Sequence, residues 1–370
     1  MRVLLTGGGT AGHINPALAI ANTIKKNIPD AEIEFVGTEK GLENKLVCKE
    51  GYKLHHVNIM GVSRSLSLKN LKAACLMVTS QFEAKKIIKK FKPDIVIGTG
   101  GYVCWPALKV AARMGIPTLA HESNARPGLA IRQLQGGLDK ILVNFEESKS
   151  YLKNKDKVVH VGNPIRGGFG VLDNAAAKEK LGIPKDKVYV LAFGGSLGAQ
   201  RINELVFSYM DKIARYRDDC FVELATGDDY YDEFIKMFRE KGLYACKSVS
   251  MVQYIHDMHV RMSAADIVIC RAGAMTISEI AIMKKAAFII PSPNVVDNHQ
   301  YKNARVLADA QAAVVKEEKE LVDEYAFAYA LNELILDGKR REEMSSNIVR
   351  FANIDANKLI FDEIMKLAKK

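Results

Sequence analysis

Asp266-Ile-Val-Ile-Cys-Arg-Ala-Gly-Ala-Met-Thr-Ile-Ser-Glu279 is the stretch whose reading decides the fold. Residues 266–270 form a short apolar, β-branched run, the composition of a strand buried on both faces of a parallel sheet. A turn containing Gly273 follows, and Thr276 and Ser278 open an amphipathic segment that runs to about Lys284. Strand, small-residue loop and helix start in that order bring unpaired backbone N–H groups and the positive end of a helix dipole to one point. Such a junction can bind a phosphate or diphosphate. Glu279, in the first helical turn, can face a sugar just beyond the phosphates. The same pattern also describes an ordinary, well-capped βα connection. The functional reading gains weight because the chain repeats the device.

Working outward, a strand over 2–6 runs into Gly7-Gly-Gly-Thr-Ala-Gly-His13 and a helix over about 16–26, with Pro16 in its first turn. A strand over 94–97 ends in Gly98-Thr-Gly-Gly101, and one over 188–193 ends in Gly194-Gly-Ser-Leu-Gly-Ala199 before a helix from about Arg201. Further strands are predicted over 32–37, 52–59, 117–121, 140–144, 158–161, 221–225 and 286–291. Residues 68–91, 106–114 and roughly 322–370 read as helical. Strands alternating with helices imply parallel, doubly wound sheets. Leu4-Leu-Thr-Gly-Gly-Gly9 is echoed by Leu191-Ala-Phe-Gly-Gly-Ser196, and Ile95-Val-Ile-Gly98 by Ile267-Val-Ile-Cys270. The fold class is therefore α/β, with two Rossmann-like doubly wound domains facing a central cleft. Gly162-Asn163-Pro164 reads as the hinge. Ligands are expected at the carboxyl ends of the strands, where the glycine loops lie.

A chain of 370 residues exceeds one comfortable core, so two domains agree with its length. A hydrophobic fraction of 48% with 26% charged residues is that of a soluble globular protein. Six scattered cysteines, with no CxxC pair, argue for reduced thiols and against a disulfide framework or a zinc site. The first residues lack signal-peptide anatomy, and no apolar run approaches the roughly 20 residues that cross a bilayer. The formal charge of +10 suits nucleic acid, anionic lipid or phosphate-bearing substrates, and composition does not choose among them.

Gly7, Gly9 and Gly12 satisfy G-x-G-x-x-G and invite a nicotinamide dinucleotide. That cofactor also wants an acidic residue closing the second strand, and here the strand ends Phe35-Val-Gly-Thr38, with Glu39 beyond it. His13, at the mouth of the loop, can take a proton from an attacking hydroxyl, or serve as a cap. The adjacent pairs Asp218-Asp219 and Asp228-Asp229 form no Asp-x-Asp metal site; no metal and no cofactor are expected. A nucleic-acid protein is supported by charge alone, without a recognition helix or aromatic stacking motif.

Seven motifs occur in one order: Gly7-Gly-Gly-Thr-Ala-Gly-His13, Gly98-Thr-Gly-Gly-Tyr-Val103, His121-Glu-Ser-Asn124, Val161-Gly-Asn-Pro-Ile-Arg166, Gly194-Gly-Ser-Leu-Gly-Ala199, Cys270-Arg-Ala-Gly-Ala-Met-Thr-Ile-Ser-Glu279 and Asp297-Asn-His-Gln300. Together they resemble the MurG family (glycosyltransferase family 28, GT-B fold) over essentially the whole chain. The resemblance implies inverting transfer of N-acetylglucosamine from UDP-GlcNAc to the 4-hydroxyl of undecaprenyl-diphosphate-MurNAc-pentapeptide (lipid I), giving the β-1,4 disaccharide lipid II. Another UDP-sugar transferase or epimerase is the nearest alternative. It implies an N-terminal domain over 1–163, on which a helix over about 354–370 packs back, and a donor domain over 164–353. Thr10, Ala11, Gly12 and Asn124 would border the donor from the N-terminal side, with Arg166 and Ser196 addressing it from the hinge and the second glycine loop. Ile255 would contact the uracil, Ala274, Met275, Thr276, Ile277 and Ser278 would wrap the diphosphate, and Glu279 would hold the ribose hydroxyls. Gln300 and His299 would recognise the GlcNAc hydroxyls. His13 is the first choice of base and Glu122 the competitor, with domain closure about residues 162–164 excluding water.

Two positions depart from the family pattern. Ala11 replaces a glycine, at about 1 kcal/mol or more if the position needs a positive φ. Ser123 replaces a glutamine beside Asn124.

Leu68, Leu71, Cys75, Val78 and Phe82 share one helical face, expected to be core, with Leu76 and especially Met77 falling off it. The flanking Arg64, Lys69, Lys72, Lys85, Lys86, Lys89, Lys90 and Lys92 suit a solvated face or, for a lipid-borne acceptor, an anionic membrane surface. Peripheral attachment to the cytoplasmic face of the cell membrane is the expected location.

Overall fold

Along β1 (Arg2–Thr6), Val3 and Leu5 turn to one side and Leu4 to the other, and all three are fully buried. A strand apolar on both faces must be sandwiched between helices, which is the condition of a parallel βαβ sheet. The computed structural model describes residues 1–61, 68–165 and 167–369; Arg64 and Arg166 lie outside the described residues. It divides into two units, Met1–Ile165 with Asn353–Lys370, and Arg166–Ala352.

In the first unit, β1 is followed by α1 (Ala11–Asn27), β2 (Glu32–Gly37), α2 (Glu43–Lys49), β3 (Lys53–His56), α3 (Leu68–Phe91), β4 (Ile95–Gly98) and α4 (Cys104–Arg113). Then come β5 (Thr118–Glu122), α5 (Leu129–Leu134), β6 (Lys140–Val143) and β7 (Val158–His160). The seven strands are parallel, in the order β3-β2-β1-β4-β5-β6-β7. The C-terminal helix Ala356–Ala368 buries Ile360, Ile364 and Leu367 against Val3, Leu5 and Ile14. Asn357 clamps this end of the chain, its Oδ1 accepting from Ile165 N at 2.9 Å and its Nδ2 donating to Ile165 O at 2.8 Å. Gly162, Asn163 and Pro164 are buried within this unit.

The second unit runs α6 (Asn174–Leu181), β8 (Val188–Phe193), α7 (Gln200–Lys212), β9 (Cys220–Ala225), α8 (Tyr231–Glu240), β10 (Val249–Val252), α9 (Met258–Ala264) and β11 (Ile267–Cys270). It continues with α10 (Ala274–Ile282), β12 (Ala286–Ile289), α11 (His299–Asp309), β13 (Val314–Val315), α12 (Glu324–Leu336) and α13 (Gly338–Ile348). Its six strands are parallel in the order β10-β9-β8-β11-β12-β13. The echoed segments are thus the central neighbours in each sheet: β1 beside β4, and β8 beside β11. In both sheets the winding reverses between those two strands, and their carboxyl ends form the crevice where doubly wound proteins bind ligands.

Candidate active site

At the first reversal point the loop after β1 meets the loop after β4. α1 begins at Ala11, five residues earlier than Pro16 suggests, so His13 sits in its first turn. Ala11 is not among the described residues with positive φ, so the conditional strain penalty does not arise. His13 Nδ1 lies 3.2 Å from Gly8 O and 3.2 Å from Thr10 Oγ1, and its carbonyl accepts from Thr99 Oγ1 at 2.6 Å. The ring lies over Gly101, whose φ is +77° and where a Cβ would fall 2.5 Å from Gly8 O and 3.1 Å from His13 Nδ1. The loop after β4 must therefore be bare backbone for the imidazole to seat there. Thr10 and Gly12 are exposed beside it. Glu39, which a nicotinamide reading would use, is exposed, and the carboxylate that reaches this loop is Glu43.

Glu122 closes β5 and is buried. Its Oε1 accepts from Asn124 N at 2.9 Å and Asn124 Nδ2 at 3.1 Å, and its Oε2 accepts from Gly128 N at 2.7 Å. Burial raises its pKa, and those hydrogen bonds with the Arg132 charge only partly offset it. Asn124 is thus oriented by Glu122. Ser123 is buried, so the departure at that position does not remove the group that aims Asn124. His121 is fully buried, donates from Nε2 to Gly162 O at 2.9 Å, and is held by burial at a pKa of about 4, hence neutral.

In the second unit, the loop after β8 carries Ser196, exposed, with its carbonyl accepting from Asp228 N at 3.1 Å. β11 ends at Cys270, Gly273 is the N-cap of α10 in extended conformation, and Ile277 N makes the first intrahelical bond, to Gly273 O at 2.9 Å. Ala274, Met275 and Thr276 come before that bond, in the first turn of α10 at the positive end of its dipole, the part of a helix that suits an anion. Ile277 sends its side chain into the core, so only its backbone belongs to the turn; Ser278 Oγ donates to Ala274 O at 3.2 Å, and Glu279 is buried. Arg271 secures the turn, donating to Ile290 O at 3.1 Å and pairing with Glu318 at 2.6 Å. Gln300 Oε1 accepts from Ser292 N at 2.9 Å, which fixes which end of the amide is NH2, and His299 opens α11 after two left-handed residues, Asp297 and Asn298. Ile255 is buried in the turn before α9. Asp219 pairs with Arg217 and Asp228 accepts from Gln253; among the described residues no cluster of three metal-ligating side chains occurs.

α3 buries a different face from the one its apolar spacing predicts. Its buried face is Ala73, Ser80, Ala84, Ile88 and Phe91, while Cys75, Val78 and Phe82 are exposed and Leu76 and Met77 half-buried. Small residues on the buried face let α4 approach closely, an attraction that hydrophobicity alone does not rank. The apolar stripe Cys75-Val78-Phe82 therefore points to solvent, continuous with exposed Lys85, Lys86 and Lys89. Among the described residues no helix is long and apolar enough to cross a membrane. Leu68, Lys69, Leu71 and Lys72 belong to α3, and Lys90 and Lys92 are exposed near its end.

Two all-parallel, doubly wound sheets, each with glycine loops at its reversal point, define an α/β protein of the GT-B glycosyltransferase class. Residues 3–143 match the glycosyltransferase family 28 N-terminal domain and residues 189–360 its C-terminal domain, so the chain belongs to glycosyltransferase family 28. It is 43% identical, over 100% of its length and 99% of the relative's, to the UDP-N-acetylglucosamine–N-acetylmuramyl-(pentapeptide) pyrophosphoryl-undecaprenol N-acetylglucosamine transferase of Acetivibrio thermocellus. The crystal structure of Acinetobacter baumannii MurG is similar with a TM-score of 0.79 at 26% identity, covering 99% of both chains. UDP-GlcNAc 2-epimerase from Neisseria meningitidis, bound to UDP-GlcNAc, shares the fold with a TM-score of 0.62 at 18% identity, covering 99% of this chain and 100% of that one.

Proposed function

We propose that this chain transfers N-acetylglucosamine from UDP-GlcNAc to the 4-hydroxyl of undecaprenyl-diphosphate-MurNAc-pentapeptide, forming lipid II with inversion at the anomeric carbon. The observation that carries this reading is the end-to-end identity of 43% to a transferase named for that donor and acceptor. The nicotinamide and nucleic-acid readings have no comparable support.

In this mechanism the acceptor hydroxyl attacks the face of the anomeric carbon opposite UDP and gives its proton to His13. The bond to the UDP oxygen breaks, and the leaving diphosphate is met by the first turn of α10 and its dipole, where preorganised N–H groups act on developing charge. Arg166 belongs to the same assignment. Glu279 holds the ribose, Ile255 the uracil, and Gln300 with His299 the sugar hydroxyls; Ser196, Thr10, Ala11, Gly12 and Asn124 complete the binding set. Both Glu122 oxygens are engaged by three N–H donors, which supports an orienting role for it and favours His13 as the base. The chain works from the cytoplasmic face of the cell membrane, attached peripherally through the outer face of α3 to anionic lipid.

Transfer of labelled GlcNAc to a short-chain polyprenyl-diphosphate-muramoyl-pentapeptide in EDTA tests the proposal. Product is the expected result. Intact UDP-GlcNAc binding with no product from this acceptor would overturn the acceptor assignment.

A further inference from the structure

Glu43 is fully buried in the first turn of α2, beneath the glycine loop of β1. Its Oε1 accepts from Thr38 N at 2.8 Å and Thr38 Oγ1 at 2.7 Å, and its Oε2 accepts from Gly9 N at 3.2 Å. The loop is built around this carboxyl: a Cβ on Gly8 would come within 2.9 Å of it. Burial alone would push the carboxyl up, but the hydrogen bonds from Thr38, its own amide and Gly9 together hold it below the usual glutamate value, so it is ionised at neutral pH.

The N–H of Gly9 and the C=O of Gly8 belong to one planar peptide group, on opposite sides of it. The carbonyl side is 3.2 Å from His13 Nδ1. A carbonyl only accepts, so that bond requires the proton on Nδ1 and makes Nε2 the basic nitrogen of the neutral ring. Carboxylate, peptide and imidazole thus form one hydrogen-bonded chain, in which each bond polarises the next. The other groups around it are Thr10, the N-cap of α1, Thr99 and Tyr102 from the loop after β4, Cys104 from α4, Asn44 from α2, and His56 from β3, whose Nε2 meets Asn44 Oδ1. Burial, with the Glu43 charge, holds the Tyr102 hydroxyl above its usual range, and burial pushes the Cys104 thiol to about 12, so neither carries charge at pH 7.

We propose that Glu43 is a positioning residue for glycosyl transfer: acting through the Gly8–Gly9 peptide, it holds His13 in the Nδ1–H tautomer and stabilises the imidazolium formed when Nε2 takes the acceptor proton. This rests on the reading of His13 as base. The proton passes from the acceptor hydroxyl to Nε2, the new glycosidic bond forms from that oxygen, and the electron pair of the broken bond leaves with UDP.

The test is Glu43→Gln, which keeps the shape and removes the charge, with Glu43→Asp, which keeps the charge. In Glu43→Gln, kcat falls about tenfold to hundredfold, the loss known for removing the partner that orients a metal-bound imidazole, while UDP-GlcNAc affinity is unchanged. The acid limb of the kcat/KM profile moves about one unit lower, because a carboxylate that favoured the imidazolium is gone. Glu43→Asp retains the limb. The 15N shifts of His13 report the tautomer directly. An unmoved limb and tautomer in Glu43→Gln, with His13→Ala inactive, would leave His13 as base and overturn the role of Glu43. Full activity in His13→Ala would remove the base assignment itself. Should Glu43→Gln not fold, the wild-type spectrum decides: an Nε2–H tautomer at neutral pH overturns the proposal.

Discussion

Replacing Phe82 and Val78 together by serine tests whether the outer face of α3 is a membrane surface. Phe82 is 64% exposed and Val78 55% exposed, so neither contributes much to the core. Full burial is worth about 3 kcal/mol for phenylalanine and about 1.5 kcal/mol for valine. Scaled by exposure, sinking both into a lipid interface gains about 3 kcal/mol. That is about a hundredfold in partition, at 1.4 kcal/mol per factor of ten. Lys85, Lys86 and Lys89 each add about 1 kcal/mol near an anionic leaflet, a contribution screened by salt where the apolar part is not. In co-sedimentation with vesicles containing anionic lipid, the double variant should bind about a hundredfold more weakly, with unchanged melting and full activity on a short-chain, water-soluble acceptor. Replacing the three lysines by glutamine should weaken binding only to anionic vesicles and chiefly at low salt. Undiminished vesicle binding by the double variant would refute the reasoning; a large fall in melting temperature would show that these side chains are core after all.

His13→Ala should lower kcat by about a hundredfold to ten-thousandfold, the usual worth of a general base, with UDP-GlcNAc affinity retained in calorimetry; full activity would remove His13 as base. Glu279→Ala should raise KM for UDP-GlcNAc about tenfold or more through lost hydrogen bonds to a charged acceptor, leaving kcat near wild type, and the reverse pattern in steady-state kinetics would move Glu279 from binding to chemistry. His121, neutral in the fold with a pKa of about 4 against 6.5 when unfolded, takes up its proton more readily in the unfolded chain between those values. Stability should therefore fall as pH drops through that window, by about 2 kcal/mol at pH 5 from this residue. Urea unfolding at pH 7.5 and 5 measures it, and an equal drop in His121→Phe would assign the effect elsewhere.

The strands at each reversal point were legible because their residues obey one strong local rule. Val3, Leu4 and Leu5, or Ile267, Val268 and Ile269, can only be buried on both sides, and glycine must follow where the chain turns beside a helix start. β10 and β13 were not legible. Val249-Ser-Met-Val252 pairs in register with β9, and Val314-Val315 only at the sheet edge against β12. Both are edge strands, paired on one side and only partly buried, so neither carries the two-sided apolar run that marks a central strand. α3 departs from its apolar spacing for a related reason. The sequence offers two stripes at helical spacing, and the one with larger side chains is not the one that packs. Ala73, Ser80 and Ala84 win because close helix approach rewards small residues, leaving Phe82 outside.

The site divides along the same line. The glycines, His13, Glu279 and Gln300 of the proposed site can be picked out in the sequence because the roles proposed for them are local to a loop or helix start. Glu43 does not, since its meaning depends on a peptide group 34 residues away in sequence. A local signal did exist: Gly37 and Gly41 flank it, and a Cβ at either would lie 2.6 or 2.2 Å from its side chain. A carboxylate ringed by residues without side chains occupies space the chain has kept for it. The two departures yield to the same logic. Ala11 begins a helix, where a methyl group is welcome, and Asn124 takes its aim from Glu122 rather than from residue 123. Both substitutions fall where the geometry does not depend on the residue replaced, which is why His13→Ala and Glu43→Gln, and not reversion of Ala11 or Ser123, are the changes that should lower turnover.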